Sequence, residues 1–298
     1  MQNKIIFLFL NPDFDTRAYW GLSKLYQVFC REYGFKLHII DSEFLQNHTI
    51  EEKYSQTLVI AGGDGTLHHV INSIPPIMLD KYVFGIIPGG TANEFAKTFN
   101  MPKSIAKAAR IIANPKKINY FHLGCLNDRH MFATGFLYGV ADYVLRITSP
   151  SIKHFIGMFA FGFGSLKLIY KMMKENEHKY KKFKINSEVH HTNYLLINNL
   201  SLTSKNLNKD ELGHEYNNLL YLVYTKSGLK LYEMLLLVVK NIIHDKILHE
   251  GKIHYSQQKQ IVLESDEDIE FMLDGEKYKM STPLVIRHFE HQIAVIEG

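Results

Sequence analysis

The sequence has few cysteines, no long apolar run and little imbalance of charge. Its 298 residues include two cysteines, Cys30 and Cys125, which provide no disulfide framework, so a reducing compartment is expected. No window reaches the roughly 18 uncharged apolar residues of a spanning helix, and the first residues lack the apolar core of a signal peptide. A net charge of +4 does not favour nucleic-acid binding but permits contact with an anionic membrane. We therefore expect a cytoplasmic protein.

The first part of the chain alternates short apolar runs with helical patterns. The runs, which are typical of buried strands, are Ile5–Leu10, Lys36–Ile40, Leu58–Ala61 and Val83–Ile87. Residues with helical spacing lie between these runs: Leu22, Leu25 and Phe29, then Val70, Ile71 and Ile74. Strands that alternate with helices predict a Rossmann-like α/β domain with a parallel sheet, which we assign to residues 1–121.

From about His122 onward the pattern becomes β-rich. The segments typical of antiparallel strands are Met131–Thr134, Tyr194–Asn198, Leu219–Thr225, Lys252–Tyr255, Gln260–Glu264 and Ile269–Leu273. Helical patterns interrupt them near residues 152–173 and 229–244. We predict a second, β-rich domain over residues 122–298, and its last strand can return to the first domain.

Two glycine-rich loops each follow a predicted strand and precede a predicted helix. The first reads Gly62-Gly63-Asp64-Gly65-Thr66, and the second reads Pro88-Gly89-Gly90-Thr91-Ala92-Asn93-Glu94. Glycines let backbone N–H groups approach phosphate oxygens, and a helix N-terminus favours an anion. Because the two strands would be neighbours, we expect the loops to form one crevice. Neither loop matches GxxxxGK[ST] or GxGxxG.

Asp64 places a carboxylate in the first loop, where a phosphate is expected. The two groups repel each other unless a cation lies between them, and Mg²⁺ prefers one or two carboxylates together with phosphate oxygens. Asp64 therefore predicts a complex of metal and nucleotide. A structural alternative stays open, since Asp64 could lie in a tight turn and cap the helix that follows it, and Thr91 and Glu94 have the spacing of a capping box.

Four motifs in this order resemble a known family. They are Asn11-Pro12, GGDGT at 62–66, PGGTANEFA at 88–96, and Leu273-Asp274-Gly275-Glu276. The chain resembles the soluble lipid kinases of the diacylglycerol kinase catalytic-domain family and, more distantly, the NAD and sphingosine kinases. The resemblance implies a nucleotide domain, a β-sandwich-like second domain, and transfer of phosphate from ATP with Mg²⁺ to the hydroxyl of a lipid such as diacylglycerol.

The resemblance also implies roles for individual residues. Asp64 would hold the Mg²⁺ through water, and Glu276 would be the general base. The predicted nucleotide-binding residues are Asn11, Gly62, Gly63, Asp64, Gly65, Thr66, His68, Gly89, Gly90, Thr91 and Asn93. For Glu276 the residues themselves leave an alternative open, because Asp274-Gly275 is typical of a type I′ hairpin turn.

The motifs depart from the family pattern in several places. Asp13-Phe14-Asp15 replaces the usual Ser-Gly, His68-His69 replaces Asn-Glu, and Asn217-Asn218 gives no structural Mg²⁺ site. His122 replaces an aspartate of the family's catalytic metal network. That replacement keeps a second hypothesis open, a non-catalytic protein that binds nucleotide or lipid.

The predicted partners follow from the same hypothesis. An NAD kinase is a further alternative, although no convincing second dinucleotide-binding segment is found. The aromatic stretch 154–173, flanked by lysines, suits a lipid acceptor or peripheral membrane contact, or else a helix packed into the second domain. A homodimer is left open.

Overall fold

The computed structural model describes residues 5–11, 19–48, 56–90, 92–139, 181–199, 219–225 and 253–298. The chain divides into two compact units, of which the first is Met1–Thr134 with Phe289–Gly298 and the second is Gly135–His288. We expect a domain boundary after residue 121, and the first unit continues to Thr134. The predictions for Thr91, Asn217-Asn218 and the patterns at 154–173 and 229–244 lie outside the described residues.

The first unit is built on a parallel sheet with helices between the strands. Its strands are β1 (Ile5–Leu10), β2 (Lys36–Ile40), β3 (Gln56–Gly62), β4 (Tyr82–Pro88), β5 (Lys117–Leu126), β6 (His130–Phe132) and the last part of β16 (Leu284–Glu297). Its helices are α1 (Tyr19–Tyr26), α2 (Ser42–Asn47), α3 (Asp64–Ser73), α4 (Glu94–Thr98) and α5 (Ile105–Ala113). A π-helical turn, Gln27–Glu32, continues α1, and a 3₁₀ turn, Pro76–Lys81, precedes β4. The parallel order is β2-β1-β3-β4-β16, and β5 pairs with β16 and β6.

The central strands are buried along their length, which is typical of a parallel sheet covered on both faces. Leu58 and Val59 of β3 are fully buried, and so are Phe84 and Ile87 of β4. Parallel strands end at one edge, and here Gly62 lies opposite Pro88 in the register of β3 and β4. The glycine-rich loops therefore leave the sheet side by side. The predicted α/β fold of the N-terminal region is confirmed.

Helix α4 is short, and an aromatic cluster holds it to the sheet. Phe95 of α4, Phe99 directly after this helix and Phe121 of β5 are each at most 2% exposed. Their ring centroids lie 4.9 to 5.7 Å apart, and Phe121 meets both other rings edge-on. Such contacts add to the stabilisation from burial. The backbone that follows the second glycine-rich loop is therefore anchored to β5 by these rings.

The second unit is β-rich, as predicted. Its strands are β7 (Gly135–Gly139), β8 (Lys181–Ile185), β9 (Glu188–Thr192), β10 (Tyr194–Asn198), β11 (Leu220–Thr225), β12 (Ile253–Gln258), β13 (Gln260–Glu264), β14 (Ile269–Leu273), β15 (Glu276–Met280) and the first part of β16. One antiparallel sheet has the order β12-β11-β10-β7-β14-β15, and β13 pairs with β8 and β16. No helix in the described part of the chain is long and apolar enough to cross a membrane.

The end of the chain is fastened to the first unit through Glu297. Its carboxylate accepts hydrogen bonds from Asn100 (2.9 Å) and Asn119, and it lies 2.8 Å from Lys117 Nζ. The Gly298 N–H donates to the Phe99 carbonyl at 2.9 Å. Burial alone would raise the pKa of Glu297, but the hydrogen bonds from Lys117, Asn119 and Asn100 outweigh it and lower the pKa.

We predict that Glu297→Gln destabilises the first unit by roughly 1–2 kcal/mol at neutral pH, since hydrogen bonds to a charged, mostly buried carboxylate are lost. A carboxyl with a lowered folded pKa stabilises the fold above its unfolded pKa, near 4.5, and loses this effect as the pH falls through the folded value. The difference from wild type should therefore shrink below about pH 4.5.

Denaturant midpoints measured between pH 7 and pH 3 check this. The exposed Glu43, whose backbone carbonyl but not its carboxylate binds Asn47, provides the control variant Glu43→Gln. A difference that stays constant with pH would show that Glu297 does not act through its charge.

Candidate active site

The two glycine-rich loops touch through their backbones at the carboxyl edge of the first unit's sheet. A Cβ added to Gly63 would lie 2.9 Å from the Cα of Gly90, and one added to Gly90 would lie 2.6 Å from the Cα of Gly63. Neither position accepts a side chain without moving backbone. The Gly89 N–H also donates to the Gly62 carbonyl at 2.8 Å. The two loops at adjacent strand ends are thus in direct contact, and a single ligand crevice there remains a prediction.

Asp64 joins the two loops. It is the first residue of α3, and its carboxylate reaches the start of α4 in the other loop. Its Oδ2 accepts the Glu94 N–H at 3.0 Å, and its Oδ1 accepts the Phe95 N–H at 3.0 Å. These donors are among the first N–H groups of a helix, which have no partner within the helix itself. Asp64 therefore caps α4 through tertiary contact, and its half-buried carboxylate is held with both oxygens oriented.

A capping box would require Glu94 at the third helical position, and the structure does not place it there. Helix α4 begins at Glu94, so this residue occupies the first helical position rather than the third. The residue before it, Asn93, has a left-handed backbone conformation (φ 52°) and makes no side-chain cap. Its amide binds the glycine loop instead, because Oδ1 accepts the Gly90 N–H at 2.8 Å and Nδ2 donates to the Gly90 carbonyl at 2.6 Å.

Asn11 and Thr66 connect the end of β1 to the first turn of α3. The Asn11 N–H donates to the Ala61 carbonyl at 3.1 Å, and its Nδ2 donates to Thr66 Oγ1 at 2.7 Å. Thr66 is 7% exposed, so this bond is well shielded from water. Asn11, Gly62, Gly63, Gly65, Thr66, Gly89, Gly90 and Asn93 thus lie around Asp64 at one edge of the sheet. Their contacts with nucleotide remain predictions.

The two histidines that follow the first loop have different surroundings. His68 is 4% exposed, and it lies close enough to His130 to help lower that residue's pKa, after burial and Arg129. His69 is exposed, and its Nε2 lies 2.6 Å from Ser42 Oγ. A nucleotide contact by His68 remains a prediction.

Asn72 is a structural residue that the motif analysis missed. Its Nδ2 donates to the Met131 carbonyl at 2.9 Å, and its Oδ1 accepts the Met131 N–H at 2.9 Å. The amide of Asn72 therefore joins α3 to β6 like one more rung of a sheet. An asparagine directly after the apolar pair Val70-Ile71, on the helix that follows the first glycine-rich loop, was the available signal.

His122, the residue that stands where the family has an aspartate, lies on β5 and is half-buried. Its Nδ1 is 3.1 Å from the Phe289 carbonyl oxygen. Since a carbonyl only accepts, the imidazole donates through Nδ1–H. An aspartate at this position would present an acceptor to an acceptor. The change from the family pattern therefore reverses the hydrogen-bonding direction as well as the charge.

Glu276 belongs to the second unit, where it begins β15. Asp274 and Gly275 have φ values of 50° and 93°, and Leu273 pairs with Glu276, which gives the predicted type I′ hairpin. Glu276 is exposed. Its role as a base remains a prediction.

The residues around Asp64 fit a hydrated Mg²⁺ held together with a nucleotide. No cluster of three or more His, Cys, Asp or Glu side chains in the described ranges could hold a metal ion by itself. A carboxylate offers about four lone-pair sites, so a side chain that accepts the N–H groups of Glu94 and Phe95 is also of the kind that accepts water molecules of a hydrated ion. Mg²⁺ commonly takes one or two carboxylates and completes its shell with phosphate oxygens and water.

The glycine-rich loops fall within a recognised family match. The profile of the Diacylglycerol kinase catalytic domain matches residues 6–123. The chain is 31% identical over 134 residues to a diacylglycerol kinase of Staphylococcus carnosus, which covers 44% of this chain and 42% of that protein. The alignment thus spans less than half of that relative's length.

Solved structures with the same fold cover nearly the whole chain. A diacylglycerol kinase from Bacillus anthracis has a TM-score of 0.64 and 19% identity, and the match covers 100% of this chain and 98% of that one. An NAD kinase from Archaeoglobus fulgidus, solved in complex with ATP, has a TM-score of 0.53 and 8% identity over 98% and 93% of the two chains. Asp64 and both glycine-rich loops lie inside residues 6–123, so this part of the chain is similar to the Diacylglycerol kinase catalytic domain.

Proposed function

We propose that the protein is an ATP- and Mg²⁺-dependent kinase that phosphorylates the hydroxyl of a lipid such as diacylglycerol. The observation that carries this proposal is the contact between two glycine-rich loops, joined by the carboxylate of Asp64, at the carboxyl edge of a parallel sheet. Ligands of open α/β sheets bind at this edge. Phosphoryl transfer depends mainly on positioning and on electrostatic stabilisation, which such an edge supplies.

The phosphates of ATP would bind at the first turn of α3. Gly63 precedes this helix and provides no side-chain cap, and the first turn of a helix has N–H groups without intrahelical partners. The N–H groups of Gly89 and Gly90 already donate to Gly62 and Asn93. These two N–H groups thus help to hold the second loop in place beside the first.

Asp64 would hold Mg²⁺ through water, and the ion, when bound, would offset charge that develops on the transferred phosphoryl group. Among the described residues, Glu94 is a second carboxylate near this loop, and it lies 2.7 Å from Lys97 Nζ in an exposed ion pair. Its charge is therefore partly balanced locally. This leaves Asp64 as the residue on which the ion depends in this loop.

Glu276 would accept the proton of the lipid hydroxyl as its oxygen attacks the γ-phosphorus of ATP. The bond between the γ-phosphorus and the bridging oxygen then breaks, and ADP leaves. The lipid acceptor is supported by the family and by the named relative, a diacylglycerol kinase. Contact with a membrane would be peripheral and sensitive to salt, in line with the modest net charge of +4.

One observation favours a second function, a non-catalytic protein that binds nucleotide or lipid. His122 donates to the Phe289 carbonyl and contributes no fixed negative charge to a metal network. The deciding experiment incubates the protein with labelled ATP, Mg²⁺ and diacylglycerol, phosphatidylglycerol, ceramide or sphingoid acceptors. Labelled lipid supports the kinase. ATP binding in a thermal-shift assay without labelled lipid supports the second function.

Asp64→Asn should lower kcat by about three orders of magnitude, because a neutral amide cannot hold the hydrated ion against the phosphates. The Nδ2 donor of the asparagine would also face a backbone N–H donor of α4, so a small loss of stability is expected. Kinetics at several Mg²⁺ concentrations, together with thermal unfolding, measure both effects.

The control for Asp64 is Asp41→Asn. Asp41 also caps a helix in the first unit, since its Oδ1 accepts the Phe44 N–H at 2.9 Å, but it lies outside the glycine-rich loops. This variant should keep its activity. Full activity in Asp64→Asn would mean that Asp64 only caps α4.

Glu276→Gln should abolish phosphoryl transfer and leave ATP binding intact, because the amide cannot accept the hydroxyl proton while the hairpin keeps its geometry. Lys277, the next residue of β15, is also exposed, so Lys277→Gln controls for a change of charge on the strand. Normal turnover in Glu276→Gln would leave Glu276 as a turn residue alone.

His122→Asp should raise kcat severalfold, because a carboxylate near the metal network adds negative charge for the ion. The same change removes the donor to Phe289 and should lower the unfolding midpoint. His122→Asn separates the two effects, since an amide can donate to the carbonyl without adding charge. If His122→Asp is no faster than wild type, or neither protein phosphorylates any lipid, the missing carboxylate does not limit the rate.

A further inference from the structure

The turn that carries Glu276 is fastened to the neighbouring strand β7 by the residue two positions before it. The Asp274 N–H donates to the Gly135 carbonyl at 3.0 Å, and Asp274 Oδ1 accepts the Gly135 N–H at 3.1 Å. Asp274 is 8% exposed, so both bonds are shielded from water. One aspartate thus makes the two hydrogen bonds of a sheet rung, one with its backbone and one with its side chain.

These two hydrogen bonds matter because the adjoining pairing of β14 with β7 is short. Strands β14 and β7 pair through Met272 with Leu137 and through Leu273 with Phe136. Asp274 adds two hydrogen bonds to β7 beyond these paired residues, and one of them comes from its side chain. The direction of the turn relative to β7 therefore depends on the Asp274 carboxylate.

A stack of rings supports the same hairpin from one face. Phe136 of β7 stacks on Phe271 at 4.5 Å, and Phe271 stacks on Tyr278 at 5.7 Å with an interplanar angle of 10°. Burial raises the pKa of Tyr278, and the charges of Glu276 and Asp274 raise it further, so both carboxylates lie near this phenol. The hairpin is thus held on one face and at its tip, close to Glu276.

The hairpin of β8 and β9, in the same unit, has the same construction without a proposed catalytic residue. Asn186 and Ser187 have φ values of 47° and 78°. The Asn186 N–H donates to the Val262 carbonyl at 3.0 Å, and its Oδ1 accepts the Val262 N–H at 2.8 Å. Strands β13 and β8 also pair through only two residues each. We call such a pair of hydrogen bonds, one from the backbone and one from the side chain of a turn residue, a clamp. The neutral amide of Asn186 suffices for its clamp, which provides an internal comparison for Asp274.

We propose that Asp274 is a positioning residue that sets the direction of Glu276 through its clamp on Gly135. This inference rests on the proposed function, in which Glu276 is the base. A general base must lie within hydrogen-bonding distance of the proton it removes, and a displacement of about 1 Å can lower the rate about 100-fold. An ionised acceptor makes a stronger bond than an amide, which accounts for an aspartate at the more demanding turn.

The test compares three variants that keep the turn conformation. Glycine adopts positive φ without strain and lacks the side-chain acceptor. Asp274→Gly therefore removes the bond from the Gly135 N–H and keeps the backbone bond to the Gly135 carbonyl, and Asn186→Gly is the matched control. Asparagine keeps both the acceptor and the tolerance of positive φ, so Asp274→Asn should restore function. We expect kcat for lipid phosphorylation to fall about 10- to 100-fold in Asp274→Gly with KM for ATP unchanged, and the other two variants to stay within about threefold of wild type.

Three outcomes would overturn the proposal. Equal losses in Asp274→Gly and Asn186→Gly would indicate general loosening of the unit, and a loss in Asp274→Asn as large as in Asp274→Gly would indicate that the charge itself acts. Wild-type kcat in Asp274→Gly would show that the clamp is not needed.

Hydrogen exchange separates this proposal from the proposed function. Amides of residues 269–280 should exchange faster in Asp274→Gly, whereas those of residues 181–192 should exchange faster in Asn186→Gly. If the wild type phosphorylates no lipid, the proposed function fails, and the exchange pattern still decides whether Asp274 holds the hairpin. Unchanged exchange at 269–280 in Asp274→Gly would reject the clamp whatever the activity.

Discussion

The first unit's glycine-rich loops depend on the two hydrogen bonds that the carboxylate of Asp64 accepts. It lies in one loop and accepts two backbone N–H groups of the other, so that the strand β3, the strand β4 and the helices that follow them are held in one arrangement. The contact between Gly63 and Gly90 is possible because neither residue has a Cβ. A structural role and a chemical role thus meet in one side chain. The same negative charge that fastens the loops makes the edge unsuitable for phosphate unless a cation is present.

The parallel sheet could be predicted from the sequence because its central strands are covered on both faces. Such strands need continuous apolar runs, and Ile5–Leu10 has the bounds expected from the pattern. The edge strand Lys36–Ile40, which is mostly exposed, also has its expected bounds. The position of the loops then follows, since neighbouring parallel strands end at the same edge. The fold and the neighbourhood of the candidate site therefore come from local patterns.

The start of α4 could not be predicted in this way, and the reason is physical. The local spacing of Thr91 and Glu94 satisfies a capping box, but the donors of this helix are taken by Asp64, which lies 30 residues before Glu94. Asn93 then binds Gly90 instead of capping the helix. The acceptor for the first N–H groups of α4 is therefore Asp64, which is distant in sequence, and not a residue next to the helix. The return of residues 289–298 to the first unit, fastened through Glu297, is likewise set by partners that lie far away in sequence.

The histidine at position 122 shows how a chain can lose a charge and keep its structure. The imidazole donates to the Phe289 carbonyl, so the pairing of β5 with β16 gains a hydrogen bond where an aspartate would have repelled the carbonyl. The local structure is therefore compatible with histidine without any rearrangement of the loops. The consequence lies in electrostatics, because Glu94 is paired with Lys97 and His122 adds no negative charge. A metal ion at this edge would then depend on Asp64 and on the phosphates of the nucleotide, so its binding should be coupled to that of the nucleotide rather than precede it.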